Sequence, residues 1–342
     1  MGMKILITGG QGFIGRNLIQ MLSTRKNISK IIVIDSKKVD DSYAELFKSY
    51  SCHVKVSDYK KDYKKINFIK CSTNNLNFAM KITKNIDYVI HLAAESGVDV
   101  SINKPYDSFL SNIVGTYNYL EASRVNNVKN FIFASSGAVF GKATPPMKHD
   151  YPKCPISPYG SSKLSIESYC SSYSSIFNLP TTILRFSNAY GEFSKHKNSI
   201  ISKVIKSYLF NQRINIFGDG KHSRDFIYVK DICYSIIKCL RKRSGYNEYH
   251  IGTGKEITLN KLLDIINKEF RKHGIKQPRI KYLKERMGDM KNNSLDITLT
   301  KRNLKWRPLF NLQKGLNSTI AWYLRETVSG CRAADKIDKK NK

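Results

Sequence analysis

The sequence predicts an α/β fold built on a doubly wound parallel sheet, with a smaller C-terminal α/β lobe. Three observations carry that expectation. A short apolar run at residues 4–8 passes through a cluster of glycines into a helical pattern reaching Leu22. Further apolar runs recur at 67–70, 88–92, 131–134 and 182–184, with helical patterns between them, notably 112–126 and 161–177. Short strands alternating with helices argue for parallel strands joined by crossover helices. Finally, 342 residues with 41% hydrophobic content can bury an ample core, as one large domain or two smaller ones.

The first strand ends in Gly9-Gly10-Gln11-Gly12-Phe13-Ile14-Gly15, and a second apolar strand, Ile31-Ile32-Val33-Ile34, ends in Asp35. Glycines spaced by three between a strand and a helix let the backbone approach a pyrophosphate at the helix N-terminus. An acid about 20 residues further on can bind a ribose 2′-hydroxyl. Asp35 would repel a 2′-phosphate, so NAD is favoured over NADP, although Lys37 and Lys38 soften the preference. The polar, basic and tyrosine-rich stretch 39–65 reads as a surface excursion with no assignable function.

The centre of the chain holds FIFASSGAVFG at 131–141 and SPYGSSK at 157–163. Tyr159 and Lys163 lie four residues apart, so on a helix both leave the same face. A free phenol ionises near pH ~10, and an ammonium one turn away is expected to pull that value down. Ser136, approaching from a separate loop, can hold a substrate hydroxyl against the phenol. Such a set moves a proton from an alcohol, provided a hydride acceptor lies beside it. Taken alone, a Tyr and a Lys at this spacing are compatible with a solvated helix face.

After Arg185 the rhythm changes to short strands and turn clusters, with an amphipathic helix at 259–270. From Ser329 little apolar content remains, and disorder is expected over 329–342. The seven cysteines include no C-x-x-C pair, which suits a reducing cytosol and points to neither a disulfide framework nor a zinc site. No apolar run reaches the roughly 18 residues of a membrane span, and the early strand leaves no room for a signal peptide. Fifty-eight basic against 27 acidic residues give +31. That charge would suit an anionic partner such as nucleic acid, but the lysines are dispersed, which favours solvated faces over a binding stripe.

Eight ordered motifs carry a resemblance over residues 3–325: TGGQGFIG at 8–15, DYVIHLAA at 87–94, NIVGT at 112–116, FASSGAVFG at 133–141, YGSSK at 159–163, LRFSNAYG at 184–191, GDGKHSRDFIYV at 218–229 and RMGD at 286–289. With them the chain resembles the extended short-chain dehydrogenase/reductases. More narrowly, it is similar to the NAD-dependent nucleotide-sugar epimerase/dehydratase family that includes UDP-glucose 4-epimerase. The resemblance implies a Rossmann domain over 3–184, rejoined by about 225–252, and a nucleotide-sugar domain from 185–224 and 253–326. It implies that Gly9, Gly12, Phe13, Ile14 and Gly15 wrap the NAD pyrophosphate and that Asp35, with Ser36, holds the adenosine ribose. Leu92, Ala93 and Ala94 would line the cofactor cleft, and Tyr159 and Lys163 would reach the nicotinamide side. Ser136, Tyr159 and Lys163 fall on the catalytic positions. Asn188, Arg224 and Arg286 fall on positions that grip the nucleotide diphosphate, with Asp289 near its ribose and Phe217 among the substrate-binding positions.

Departures from the family pattern narrow the reaction. Relatives that dehydrate or decarboxylate the sugar carry acids just after the catalytic serine or threonine, where this chain has Gly137 and Ala138. The minimal chemistry, C4 epimerisation of a UDP-sugar, is therefore expected; dehydration, epimerisation at another carbon, or an RNA-binding role are the alternatives. Ser72 stands where relatives often place an adenine-binding Asp, and Asn293 is small enough to leave room for an N-acetyl group. Lys197 could meet a uronate carboxylate. UDP-hexose, UDP-N-acetylhexosamine and UDP-uronate all stay open as substrates. A cytoplasmic location is expected from the cysteine usage, and by resemblance a homodimer paired through the helix carrying Tyr159, which also presents Tyr169, Tyr173 and Ile176.

Overall fold

The computed structural model describes residues 2–37, 65–242, 244–285 and 292–338, with side chains through residue 327. The stretch read as a surface excursion lies almost wholly outside them, as do Lys38, Arg286 and Asp289. The first half forms β1 (Met3–Thr8), α1 (Phe13–Ser23), β2 (Ile28–Asp35), β3 (Ile66–Lys70), α2 (Leu76–Ile82) and β4 (Tyr88–His91). It continues through α3 (Val98–Asn103), α4 (Pro105–Phe109), a π-helical turn (Leu110–Val114), α5 (Gly115–Val125) and β5 (Asn130–Ser136). A 3-10 turn (Gly137–Phe140) leads to α6 (Pro158–Phe177) and β6 (Thr181–Phe186).

Among the described residues a seven-stranded sheet runs in the order β3-β2-β1-β4-β5-β6, closed at the far edge by β11 (Tyr246–Ile251). Every pairing in it is parallel. The strands are apolar on both faces because each face is covered. Along β1, Ile5 and Ile7 enter one buried layer and Leu6 enters the other. That follows from the two-residue period of a strand. Strand order reverses beside β1, which opens a crevice between its C-terminal end and that of β4, where such sheets take ligands.

The remainder forms β7 (Asn188–Tyr190), α7 (Ile200–Leu209), β8 (Ile214–Phe217), β9 (Ser223–Arg224), β10 (Phe226–Tyr228) and α8 (Val229–Cys239). After β11 come β12 (Ile257–Thr258), α9 (Leu259–Arg271), β13 (Ile280–Leu283), α10 (Thr298–Asn303) and α11 (Leu312–Asp338). Three two-stranded ribbons, β7–β10, β9–β12 and β8–β13, form a lobe outside the main sheet. Ile214, Leu262, Ile266 and Phe270 of that lobe share one apolar cluster with Ile5, Val33 and Leu184 of the main sheet.

Two expectations need correction. Disorder was expected from Ser329, yet α11 continues to Asp338. Its earlier turns bury Leu316, Ile320, Trp322 and Tyr323, and a helix nucleated by packing propagates at little cost. Tyr173 was expected on the outer face of α6; it is buried, with its hydroxyl against Tyr117 at 3.1 Å and Glu121 at 3.0 Å. The outer face keeps Tyr169, Ile176 and Phe177 exposed.

Candidate active site

At the sheet's C-terminal edge the β1–α1 turn packs backbone to backbone against the residues after β4. Gly9 has φ +69°, and a Cβ there would sit 2.6 Å from the Ala93 nitrogen. A Cβ on Gly15 would sit 2.5 Å from the Gly9 carbonyl oxygen. No side chain larger than hydrogen fits either place. Gly12 is the N-cap of α1 and offers no side-chain cap, so the helix presents its first N–H groups outward, as an anion site requires. At the end of β2 the Asp35 carboxylate accepts the N–H of Gln11 at 2.9 Å and of Lys37 at 3.0 Å. Those bonds fix it beside the loop and leave lone pairs for a hydroxyl partner. Ser36 and Ser72 are exposed next to it, on the ends of β2 and β3, and the Ser72 hydroxyl accepts the Asn74 N–H at 3.3 Å. Phe13 is buried, whereas Ile14, Leu92, Ala93 and Ala94 are half-buried. The loop, the bare helix end and the oriented acid together fit a dinucleotide.

A chain of hydrogen bonds ties this loop to the rest of the site. Ala93 N–H donates to Thr8 Oγ1, Thr8 meets His91 Nδ1 at 3.0 Å, and His91 Nε2 meets Thr116 Oγ1 at 3.0 Å. Thr116 in turn donates to the Asn112 carbonyl at 2.7 Å, so His91 must carry its proton on Nε2. Burial pushes His91 down to about 3, which keeps the ring neutral and the chain intact. Asn112 closes the path, its side chain bonding Glu95 N and O and the Ser162 hydroxyl on α6.

Ser157 caps α6 by accepting the Gly160 N–H, and Pro158 follows it with φ preset for a helix. Removing such a cap costs about 1 kcal/mol. Tyr159 therefore lies in the first turn, where the positive end of the helix dipole favours a phenolate. Ser136 ends β5, where its hydroxyl accepts the Ala138 N–H at 3.2 Å and lies close enough to the Tyr159 phenol to favour its ionised form. One turn on, the buried Lys163 ammonium donates to the Ala134 carbonyl at 2.8 Å and lies 5.7 Å from the Tyr159 ring centre. The expected lowering of the phenol by Lys163 is not what the pocket does. Burial pushes the Tyr159 phenol up, and the Ser136 hydrogen bond offsets that only in part. Burial also pushes Lys163 down to about 7, against the attraction of Glu167 and with the repulsion of Lys197. Desolvation makes each group resist its charged form.

On the other side Asn188, Arg224 and Asn293 converge on the chain segment around Asp225. The Asn188 N–H donates to the Asp225 carbonyl at 3.0 Å, and the Asp225 N–H donates to the Asn293 carbonyl at 2.9 Å. Arg224 Nη1 donates to the Ser223 carbonyl at 2.8 Å. Asp225 itself was not singled out from the sequence. Its carboxylate is fully buried and accepts Thr253 N–H, Gly254 N–H and the Thr253 hydroxyl, which pins β9 and β10 to the end of β11. Phe217 ends β8 and is half-buried, paired with Leu283 of β13. The Lys197 ammonium donates to Ser96 Oγ at 2.8 Å, and its charge acts on Lys163. Gly137, where dehydrating relatives carry an acid, is buried against Leu295, whose side chain would lie 3.3 Å from an added Cβ.

Residues 5–252 match the family model described as the NAD dependent epimerase/dehydratase family. A protein of Methanocaldococcus jannaschii with a provisional UDP-glucose 4-epimerase name is 35% identical over 93% of this chain and 97% of its own. The structure of UDP-N-acetylglucosamine 4-epimerase from Methanobrevibacter ruminantium, in complex with UDP-N-acetylmuramic acid, superposes with a TM-score of 0.83 at 28% identity, covering 95% of this chain and 99% of that one. UDP-glucuronic acid 4-epimerase from Bacillus cereus, with UDP-glucuronic acid and NAD, gives 0.81 at 27% identity, covering 94% and 99%. This chain belongs to the NAD dependent epimerase/dehydratase family.

Proposed function

We propose that this protein is an NAD-dependent isomerase that inverts C4 of a UDP-sugar, with Ser136, Tyr159 and Lys163 as its catalytic residues. The observation that carries the reading is the placement of Tyr159 in the first turn of α6 facing Ser136 at the end of β5, with the Lys163 ammonium 5.7 Å from the phenol ring centre. Similar proteins named as UDP-sugar 4-epimerases support it.

In this mechanism Ser136 holds the sugar C4 hydroxyl against Tyr159, which takes its proton as phenolate. Lys163 offsets that phenolate charge, and the dipole of α6 assists. NAD, when bound, supplies a hydride acceptor and returns the hydride, so no net oxidation results. Gly9, Gly12 and Gly15 would hold its pyrophosphate, and Asp35 its adenosine ribose. The ketone then turns about its diphosphate linkage, which Arg224 grips, and Tyr159 returns the proton after the opposite face has been presented. Arg286 and Asp289, outside the described residues, would complete the nucleotide grip with Asn188, Phe217 and Asn293. Gly137 and Ala138 provide no acid for water elimination, which favours epimerisation over dehydration.

Among the described residues no helix is long and apolar enough to cross a membrane. We place the enzyme in the cytoplasm, as a homodimer joined through the exposed Tyr169, Ile176 and Phe177 face of α6; light scattering at the monomer mass would remove the dimer. The test of function is direct. The purified protein, with no NAD added, is incubated with UDP-glucose, UDP-N-acetylglucosamine and UDP-glucuronate, and the anomeric protons are followed by NMR. A C4-epimer signal growing to equilibrium from one of them is the expected result. A 4-keto-6-deoxy product would establish dehydration instead, and silence with all three, even after adding NAD, would overturn the reading.

A further inference from the structure

We propose that Glu167 is a positioning residue for this site: its carboxylate locks the helix carrying Tyr159 and Lys163 onto the strand carrying Ser136, and it supplies the counter-charge for the Lys163 ammonium. The inference deepens the epimerase reading and rests on it for its kinetic arm.

Glu167 lies one turn beyond Lys163 on α6 and is 3% exposed. Its Oε1 accepts the Ser135 hydroxyl at 2.5 Å, and Ser135 directly precedes Ser136 on β5. A single carboxylate thus joins the two elements whose separation sets the distance from the Ser136 hydroxyl to the Tyr159 phenol. On the other side Glu167 takes Arg185 in a forked pair, Nε at 3.0 Å and Nη2 at 2.7 Å. Arg185, on β6, is fully buried, and its Nη2 also reaches Glu248 of β11 at 2.7 Å. Its Nη1 meets His250 Nε2, and His250 Nδ1 meets the Asp296 carbonyl, so the ring is a neutral acceptor.

The buried Lys163 and Arg185 are thus set against the buried Glu167 and the half-buried Glu248. The other titratable groups facing Lys163 are Tyr159 on its own helix, Lys197 from the segment after β7, and His91 at the end of β4. Those facing Glu167 include Cys170 on its own helix and Tyr246 on β11. His149 stacks on His250 at 3.7 Å and touches Glu248. An ion pair serving stability alone could be replaced by apolar packing at little loss. This one has a second consequence. Without the Glu167 charge, two buried cations face one carboxylate, and Lys163 is the one that can shed its proton. A neutral amine cannot hold a phenolate beside it.

The test compares Glu167→Gln with Glu248→Gln, which removes the same charge from Arg185 on the side away from Lys163. Lysine labelled with 13C at Cε, assigned with Lys163→Met, gives the Lys163 titration in the protein as purified, with no substrate. In Glu167→Gln its midpoint should fall by on the order of one pH unit, and the alkaline limb of kcat should fall with it while KM stays within about twofold. Glu248→Gln should lower Tm and leave both where they are. An unmoved Lys163 titration in Glu167→Gln overturns the proposal, as does an equal shift in both variants. If Glu167→Gln does not fold, Ser135→Ala decides, since it keeps every charge: a kcat loss of about fivefold or more at constant KM supports the lock, and wild-type kcat overturns it. A shifted titration in a protein inactive on every UDP-sugar would leave this inference standing and sink the epimerase reading.

Discussion

At one end of the sheet Gly9, Gly12 and Gly15 shape a loop whose contacts are backbone against backbone, within one strand–turn–helix unit and against the residues after β4. Across the cleft Asn188, Arg224 and Asn293 meet around the buried Asp225, brought together by ribbons from distant parts of the chain. The first half is shaped by the absence of side chains, the second by a carboxylate that three backbone and side-chain donors pin in place. They should fail differently. A loop that excludes Cβ atoms breaks when volume is added, whereas a convergent polar cluster breaks when a partner is removed.

The largest effect should come where the halves meet. Tyr159→Phe removes the proton acceptor and should lower turnover by about three orders of magnitude, with co-purified NAD, measured after heat release, unchanged. Substantial activity would mean that the phenol is not the base. Next comes Gly15→Val on the cofactor side, whose side chain would collide with the Gly9 carbonyl. It should weaken NAD by roughly tenfold or more through overpacking, while UDP binding by calorimetry holds. Arg224→Ala, on the sugar side, should show the reverse: KM up by about tenfold to a hundredfold from a lost charged contact, with kcat and bound NAD little changed. If both substitutions weakened both ligands alike, the contrast between the halves would fall.

The smallest effect concerns Glu248, which pairs with Arg185 outside either half. Burial pushes its carboxyl up, but the His149 hydrogen bond and Arg185 hold it down at about 2. A carboxyl held below its unfolded value stabilises the protein above that value and stops doing so as pH falls through the folded one. Glu248 should therefore contribute on the order of 2 kcal/mol that is lost between about pH 4.5 and 2. Acid unfolding of Glu248→Gln should be correspondingly flatter in that window; an unchanged profile would show that the pair with Arg185 has no net effect.

Much of this was legible in the sequence because it is local. The glycine spacing, the two strands around it and Asp35 all sit within one super-secondary unit, and the four-residue spacing of Tyr159 and Lys163 survives any packing. Glu167 stands four residues beyond Lys163 and could have been suspected from that same period, but nothing in the linear pattern links it to Ser135 or Arg185. Asp225 and His91 lie inside quoted motifs but were not singled out, since the role of a buried polar group is recognised only by partners that arrive from other elements.

The sequence by itself determined the sheet, the glycine turn and the shared helix face of Tyr159 and Lys163, because strand and helix periods and glycine's freedom act over a few residues. Only the tertiary structure decided the charge states in the pocket. There the phenol goes up instead of down, and the lysine falls to about 7, because burial outweighs the attraction between neighbours. Solvation depends on everything that surrounds a group, and no spacing along the chain encodes that.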